Sequence, residues 1–449
     1  MRAASVGVLA ALSALLPIDP TSIIAAERPN VVVVLVDDFG WGDPACQGNT
    51  LQPTPGLDRM AREGTRFAQG YVASPICSPS RCGLLTGQFP ARWKITSYLQ
   101  TRAGNAACEM ADFLDPRAPT IPRMLQQAGY TTAHIGKWHL GGGRDVENPP
   151  KFAAYGYDLG IGTWESPEPH PDLTSTNWVW AASDKVKRHE RTAWMVDRTL
   201  DFVRQRGDKP AFVNLWLDDT HTPFVPSAEQ MAAVKVEGQG ELKTKYKAVL
   251  AEFDRQLSRL LDGLRETNTL VVLLGDNGPS PPFERDRTGG LRGQKLSLYE
   301  GGVRVPYFVW WPGQVPAGRV DESTVVSSVD LLPTLARLCS ATIPDGVEPD
   351  GMDVSPAFVG ETIARTKPLF WEYGRNDKSF DYPKNQRHRS PNVAVREGTF
   401  KLLINADGEG VELYDLATDR EEARNISKER PEVVERMKGL ALAWRRALP

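Results

Sequence analysis

Cys77-Ser78-Pro79-Ser80-Arg81 sets a thiol and a guanidinium four residues apart, at a predicted strand-to-helix turn that runs on into Leu84-Leu85-Thr86-Gly87. Read alone, the stretch is open: Cys77 is a buried thiol, one half of a disulfide, or the precursor of a reactive centre. Two acidic pairs from distant parts of the chain, Asp37-Asp38 and Asp276-Asn277, carry the oxygen atoms a hard divalent cation prefers. Taken singly, either pair also fits a helix N-cap or a solvated loop. Lys137 and His139 alternate with Trp138, so an extended segment points the two polar side chains one way and the indole the other. An isolated Lys-x-His is also consistent with a surface pair. His221, in Asp219-Thr220-His221-Thr222-Pro223, and Lys295, in Leu291-Arg292-Gly293-Gln294-Lys295, complete the set of candidates.

These residues need elements to bring them together. Val31 to Val36 is a continuous apolar run, the pattern of a strand buried on both faces of a mainly parallel sheet. Similar runs occupy Thr131 to Ile135, Ala211 to Leu217, Leu270 to Leu274 and Val305 to Trp310. Helical patterns lie between them at Thr120 to Gln127, Ala193 to Val203 and Tyr246 to Leu264. In the last, Val249, Leu250, Phe253, Leu257, Leu260, Leu261 and Leu264 form an apolar stripe, with Asp254, Arg255 and Arg259 expected to face elsewhere. Such alternation indicates an α/β sandwich: a large mixed, mostly parallel sheet between helices. In open sheets of this kind, functional groups gather beyond the carboxyl ends of the strands. Asp37-Asp38, Lys137 to His139, His221 and Asp276-Asn277 each follow a predicted strand there.

Ser328 to Cys339 reads as a further helix and Pro344 to Gly360 as a turn-rich connection. Short strands at Pro368 to Tyr373, Val393 to Arg396, Lys401 to Ile404 and Val411 to Leu416, then a helix from Pro431, predict a smaller antiparallel C-terminal subdomain. The expected division is 27–360 for the main domain and 361–449 for the subdomain.

The chain of 449 residues is 41% hydrophobic and 24% charged, ordinary values for a globular protein with a sizeable core. Its net charge of −3 gives no sign of nucleic-acid binding, so recognition of an anion must come from local basic clusters. Arg2, the apolar run Val6 to Leu16 and the small residues Ala25-Ala26 read as a secretory signal over residues 1–26. No later segment has the apolar length of a membrane span. Five cysteines permit disulfides in an oxidising compartment without identifying a pairing.

The combination resembles the type I, formylglycine-dependent sulfatases of the alkaline phosphatase superfamily. Cys77-x-Pro79-x-Arg81 is similar to the family signature, Gly136-Lys137-Trp138-His139 to its Gly-Lys-Trp-His block, and Thr54-Pro55-Gly56-Leu57-Asp58 to its Thr-Pro-Asn-Leu-Asp block, with Gly56 in place of Asn. Gln88 after Leu-Thr-Gly replaces a common Arg. Between Gly160 and Ser166 no counterpart is placed for the polar residue that some members use near the sulfate.

The resemblance implies that Cys77 is oxidised to formylglycine by a maturation enzyme, and that one hydroxyl of the hydrated aldehyde attacks sulfur. It implies Asp37, Asp38, Asp276, Asn277 and residue 77 as ligands of calcium, with magnesium the lesser candidate. Arg81 would hold the nucleophile and the neighbouring carboxylates, Lys137 and Lys295 the sulfate oxygens, His139 the formylglycine hydroxyl, and His221 the substrate and its departing oxygen. The expected protein is a periplasmic or secreted sulfatase, lysosomal or secretory in a eukaryote, acting on a galactose- or N-acetylgalactosamine-type sulfate. A phosphate or phosphonate ester hydrolase of the same superfamily is the first alternative. A non-catalytic sulfoglycan-binding protein with unmodified Cys77 is the second. A cysteine hydrolase would leave both acidic pairs unexplained.

Overall fold

The computed structural model describes residues 28–173 and 180–449, so the expected signal segment lies outside the described residues. The large sheet has eight strands: β1 (Asn30–Val36), β2 (Thr65–Tyr71), β3 (Thr131–Gly136), β4 (Leu159–Gly162), β5 (Ala211–Leu217), β6 (Thr269–Gly275), β7 (Tyr307–Trp310) and β8 (Arg319–Ser327). They lie in the order β4-β3-β5-β1-β6-β7-β2-β8. All neighbours are parallel except β7, which runs against both β6 and β2.

The core follows the period-two alternation of β1. Val31, Val33 and Leu35 pack with the helices Cys77–Thr86, Ile121–Gln127 and Leu331–Leu338. Val32, Val34 and Val36 pack against Pro55–Glu63, Arg191–Gln205 and Glu241–Leu264 on the other face. Register then sets the site. Val36 lies opposite both Leu217 and Gly275, so β1, β5 and β6 end level. Asp37, Asp218 and Asp276, the next residue in each case, emerge side by side.

β2, β4 and β8 were not among the expected strands. β2 carries Arg66, Gln69 and Gly70, and β8 begins Arg-Val-Asp-Glu-Ser-Thr at the sheet edge, where one side faces solvent; neither shows a continuous apolar run. β4 is only four residues, two of them glycine.

Asp254 also departs from expectation. It is buried, and its carboxylate accepts hydrogen bonds from the backbone N–H groups of Gly56 and Leu57 at 2.7 and 2.8 Å, closing the N-terminus of Pro55–Glu63 from a neighbouring helix. The approach explains Gly56: a Cβ there would stand 2.4 Å from the Asp254 carbonyl oxygen.

The second sheet is antiparallel, in the order β12-β11-β10-β9, from β9 (Leu369–Glu372), β10 (Val393–Glu397), β11 (Phe400–Ile404) and β12 (Glu412–Asp415). Val393, Val395, Leu402 and Ile404 meet the helix Pro431–Arg446, while Ala394, Leu403 and Trp371 meet Tyr71, Ala73 and Val303 of the main body. All five cysteines are free thiols.

Candidate active site

Cys77 opens a ten-residue helix whose every residue is buried, and Arg81 lies one turn later on the same face. The Cys77 Sγ is 3.5 Å from Asp37 Oδ1 and 3.4 Å from Lys295 Nζ. Arg81 is wholly buried. Its Nε and Nη2 donate to Asp276 Oδ2 at 3.1 and 2.8 Å, its Nη1 donates to the Lys137 carbonyl at 2.7 Å, and its guanidinium lies over the Trp216 ring. One side chain thus ties the strand ends of β3, β5 and β6 to the Cys77 helix.

The acidic groups meet where register requires. Asp37 Oδ2 accepts from Lys137 Nζ at 2.6 Å, and Asp38 Oδ1 from Lys295 Nζ at 2.6 Å. Asp38 Oδ2 accepts from Ser280 Oγ at 2.5 Å and lies 3.8 Å from His221 Nε2. Asp38 sits in the left-handed region at φ 54°, which aims its N–H at Asp276 Oδ1, 3.0 Å away. Asn277 Nδ2 donates to Asp38 Oδ1 at 2.7 Å.

The donor set fits a divalent cation on two grounds. One ligand atom each from Asp37, Asp38, Cys77 and His221 lies within 4.8 Å of all the others. The buried Asn277 Oδ1 has no hydrogen-bond partner, an acceptor left over in a cluster of acceptors.

Charge crowding points the same way. Burial, then the charges of Asp37 and Asp38, push Asp276 up to about 7, against the pull of Arg81. Burial also opposes ionisation of Asp37, but Lys137, His221, Arg81 and Lys295 outweigh it and hold that carboxylate well below its usual range. Burial and the Asp37 charge push the Cys77 thiol up to about 12, so an unmodified Cys77 is a poor nucleophile at neutral pH.

A cavity of about 340 Å³ opens over this floor, lined by Cys77, Lys137, His139, His221 and Lys295. Trp138 is fully buried on the opposite side, stacked near Trp216. His139 is buried with φ 55°; its Nε2 faces the Leu99 carbonyl at 3.2 Å and Glu165 Oε2 at 3.4 Å, and its Nδ1 has no partner. Burial lowers its pKa to about 3, although Glu165 works against that.

The structure also brings in residues that sequence reasoning missed. Glu165 occupies the interval in which no polar counterpart was placed: its carbonyl accepts from His139 N–H at 2.9 Å, and its Oε1 accepts from Arg144 Nη2 at 2.8 Å. The segment Glu165 to His170 has no periodicity, so only the gap itself was a signal. Tyr98, Arg144, Ser280 and Asp381 also line the cavity. Asp381 comes from the C-terminal loop 374–391, two of whose arginines are engaged elsewhere: Arg375 with Glu372, and Arg389 with Asp377 and the Tyr382 ring.

Comparison with known proteins gives consistent results. The sulfatase family model matches residues 29–341, and the model described as N-sulphoglucosamine sulphohydrolase, C-terminal, matches residues 293–443. The N-acetylgalactosamine-6-sulfatase of Canis lupus familiaris is 31% identical over 380 residues, covering 78% of this chain and 69% of that protein. The N-acetylgalactosamine-6-O-sulfatase of Bacteroides thetaiotaomicron is 26% identical, covering 92% and 93%. Among solved structures, Ps i-CgsB in complex with k-i-k-neocarrahexaose superposes with a TM-score of 0.75 at 26% identity, covering 92% of this chain and 91% of that one.

Proposed function

The chain belongs to the sulfatase family and is thereby a sulfuric ester hydrolase, and from that premise we propose that it removes sulfate from a sulfated carbohydrate. In this reading Cys77 is matured to formylglycine by a dedicated enzyme. A divalent cation, calcium by preference for an all-oxygen set, is held by Asp37, Asp38, Asp276, Asn277 and residue 77. Residues 27–360 form the catalytic domain and 361–449 the subdomain that completes the pocket rim. A leader over 1–26 would deliver the protein to the periplasm or cell exterior; among the described residues no helix is long and apolar enough to cross a membrane.

The observation that carries the reading is the placing of Cys77 and Arg81, one helical turn apart, against three strand-end carboxylates and two lysines. The matured side chain supplies a paired-hydroxyl nucleophile and the cation offsets negative charge beside it. The protein's own groups do the rest. Arg81 fixes the carboxylates and the start of the helix. Lys137 and Lys295 bind sulfate oxygens.

Burial weakens the charge on Lys295, but Asp38 and the groups around it more than offset this and hold its pKa well above the usual lysine value. It therefore keeps its proton and acts as an electrostatic clamp. His221, lowered by burial, parts with a proton more readily and is assigned to the leaving oxygen. His139, with a free Nδ1 and its ring held by Glu165, is assigned to the nucleophile's proton.

The saccharide assignment is supported by two relatives named N-acetylgalactosamine 6-sulfatases and a solved neighbour bound to neocarrahexaose. Paired sulfate and phosphate esters, followed by a panel of position-defined sulfated saccharides, test it. Faster turnover of a sulfated saccharide than of its phosphate counterpart is expected. Preferential turnover of the phosphate or phosphonate ester would instead support the rival chemistry.

A further inference from the structure

A second cation-lined cavity lies away from the catalytic pocket, where the edge strand β8 meets the hairpin β10–β11. It has a volume of about 290 Å³, and its lining includes Ser323, Arg365, Lys367, Arg396, Glu397 and Thr399.

The side chains of the two arginines are more than nine-tenths buried, and each has one nitrogen without a partner. The side chain of Arg365 is 7% exposed; both its Nη atoms are spent on Asp330, at 2.6 to 3.1 Å, and its buried Nε has no partner. Arg396 is 4% exposed. Its Nε donates to the Gly398 carbonyl at 3.3 Å, its Nη2 to Gln69 Oε1, and its guanidinium lies 4.8 Å from the Tyr71 ring centre, while its buried Nη1 has no partner. Lys367 Nζ is held by two neutral carbonyls, of Pro349 and Gly351, at 2.8 and 3.0 Å. The lining carboxylate, Glu397, is drawn off by Arg436.

This arrangement has a cost. A buried donor without a partner gives up its hydration with nothing in return, and loses more when it carries charge. The two guanidinium groups are also close enough that Arg396, after burial, lowers the pKa of Arg365. An anion bridging the arginines would satisfy both N–H groups and relieve the repulsion. With one nitrogen left over on each arginine and an ammonium in the same lining, an oxyanion with several oxygens can meet all three where a single-point acceptor cannot.

We propose that Arg365, Arg396 and Lys367 form a second binding site, distinct from the catalytic pocket, for a tetrahedral sulfate group. The chemistry is the same whether the group is free sulfate released by the reaction or a sulfate ester further along the glycan. The site sits on the seam between the two sheets, so its occupant ties the C-terminal subdomain to the main body. The proposal does not rest on the catalytic reading, because binding is measured without turnover.

Equilibrium dialysis of radiolabelled inorganic sulfate against the full chain, at fixed ionic strength, tests it. Two sites per chain are expected. Lys295→Ala should remove the one in the catalytic pocket. Arg396→Gln and Lys367→Ala should each weaken the other by about tenfold, the loss of one charge-assisted contact, without changing competitive inhibition by sulfate. Lys367 is exposed, so its variant decides the matter even if Arg396→Gln folds poorly. A wild-type protein whose only sulfate is lost in Lys295→Ala, or seam variants that leave every sulfate affinity unchanged, would overturn the proposal. In the Lys295→Ala protein, displacement of label by a sulfated oligosaccharide identifies the glycan as the source. Displacement by inorganic sulfate alone identifies the released product.

Discussion

Two buried clusters of charge in this protein each pair carboxylates with lysine and arginine but are left in different states. At the seam between the sheets, Lys401 Nζ lies 2.9 Å from Glu300 Oε1 and 3.1 Å from Glu422 Oε1. Glu300 Oε2 is met by Tyr71 OH at 2.6 Å and Arg304 Nη1 at 3.4 Å, and Glu422 Oε2 by the Glu300 N–H at 2.6 Å. Each of the four carboxylate oxygens has a donor or an ammonium close by, Glu422 Oε1 only through its ion pair with Lys401, and in that sense the cluster is closed. At the strand ends, three carboxylates converge beside a buried amide oxygen, Asn277 Oδ1, that has neither a hydrogen bond nor an ion pair. A buried network that satisfies itself holds elements together, whereas one with acceptors to spare is prepared for a guest.

The largest expected effect falls on the open cluster. Asp38→Ala should remove bound metal and lower kcat by on the order of 10³-fold or more, with little loss of thermal stability in the metal-free protein. Metal analysis and a melting curve on the same preparation check this, and unchanged metal stoichiometry would break the comparison.

His221→Ala sharpens it within the pocket. A sugar alkoxide needs a proton as it leaves and a nitrophenolate does not, so turnover of a glycosyl sulfate should fall by on the order of 10²–10⁴ and that of nitrophenyl sulfate far less. Equal losses would place His221 on the sulfate oxygens and leave Lys295 as the acid.

The closed cluster should respond in the opposite sense. Lys401→Met strands two buried glutamates and should cost about 3–5 kcal/mol of stability by denaturant titration, with kcat per folded molecule near the wild-type value. A large kcat defect in a fully folded variant would show that the clusters are not separate in function.

The smallest effect is a pH dependence. Burial and the Glu300 charge raise Glu422 from its ordinary 4.5 to about 7, so the folded state retains a proton that the unfolded chain releases. This contribution stabilises the fold below pH 4.5 and is lost as pH rises to about 7. Glu422→Gln should flatten that part of the stability profile, and an unchanged slope would assign the raised value elsewhere.

Much of the site was legible because its chemistry rides on strand ends. Val31 to Val36 announces β1 by composition alone, and parallel register then fixes Asp37 beside Asp276 however far apart they lie in sequence. Lys137 and His139 were readable for the same reason. Glu165, Arg144, Tyr98 and Asp381 were not, since they reach the cavity from irregular loops whose course depends on packing. Edge strand β8 was hidden by its polar half, and the buried cap from Asp254 by a helical pattern that places it off the apolar stripe. The cluster around Lys401 joins Glu300 to partners 101 and 122 positions further on, and no local pattern marks it.

The open cluster is proposed to work with formylglycine at residue 77. This role is tested most directly by measuring peptide mass at position 77 and sulfatase activity on the same series of preparations, made with increasing co-expression of the maturation enzyme. Activity should rise in proportion to the formylglycine fraction and extrapolate to zero for pure thiol. Full activity in a preparation whose position 77 is entirely cysteine would contradict the account.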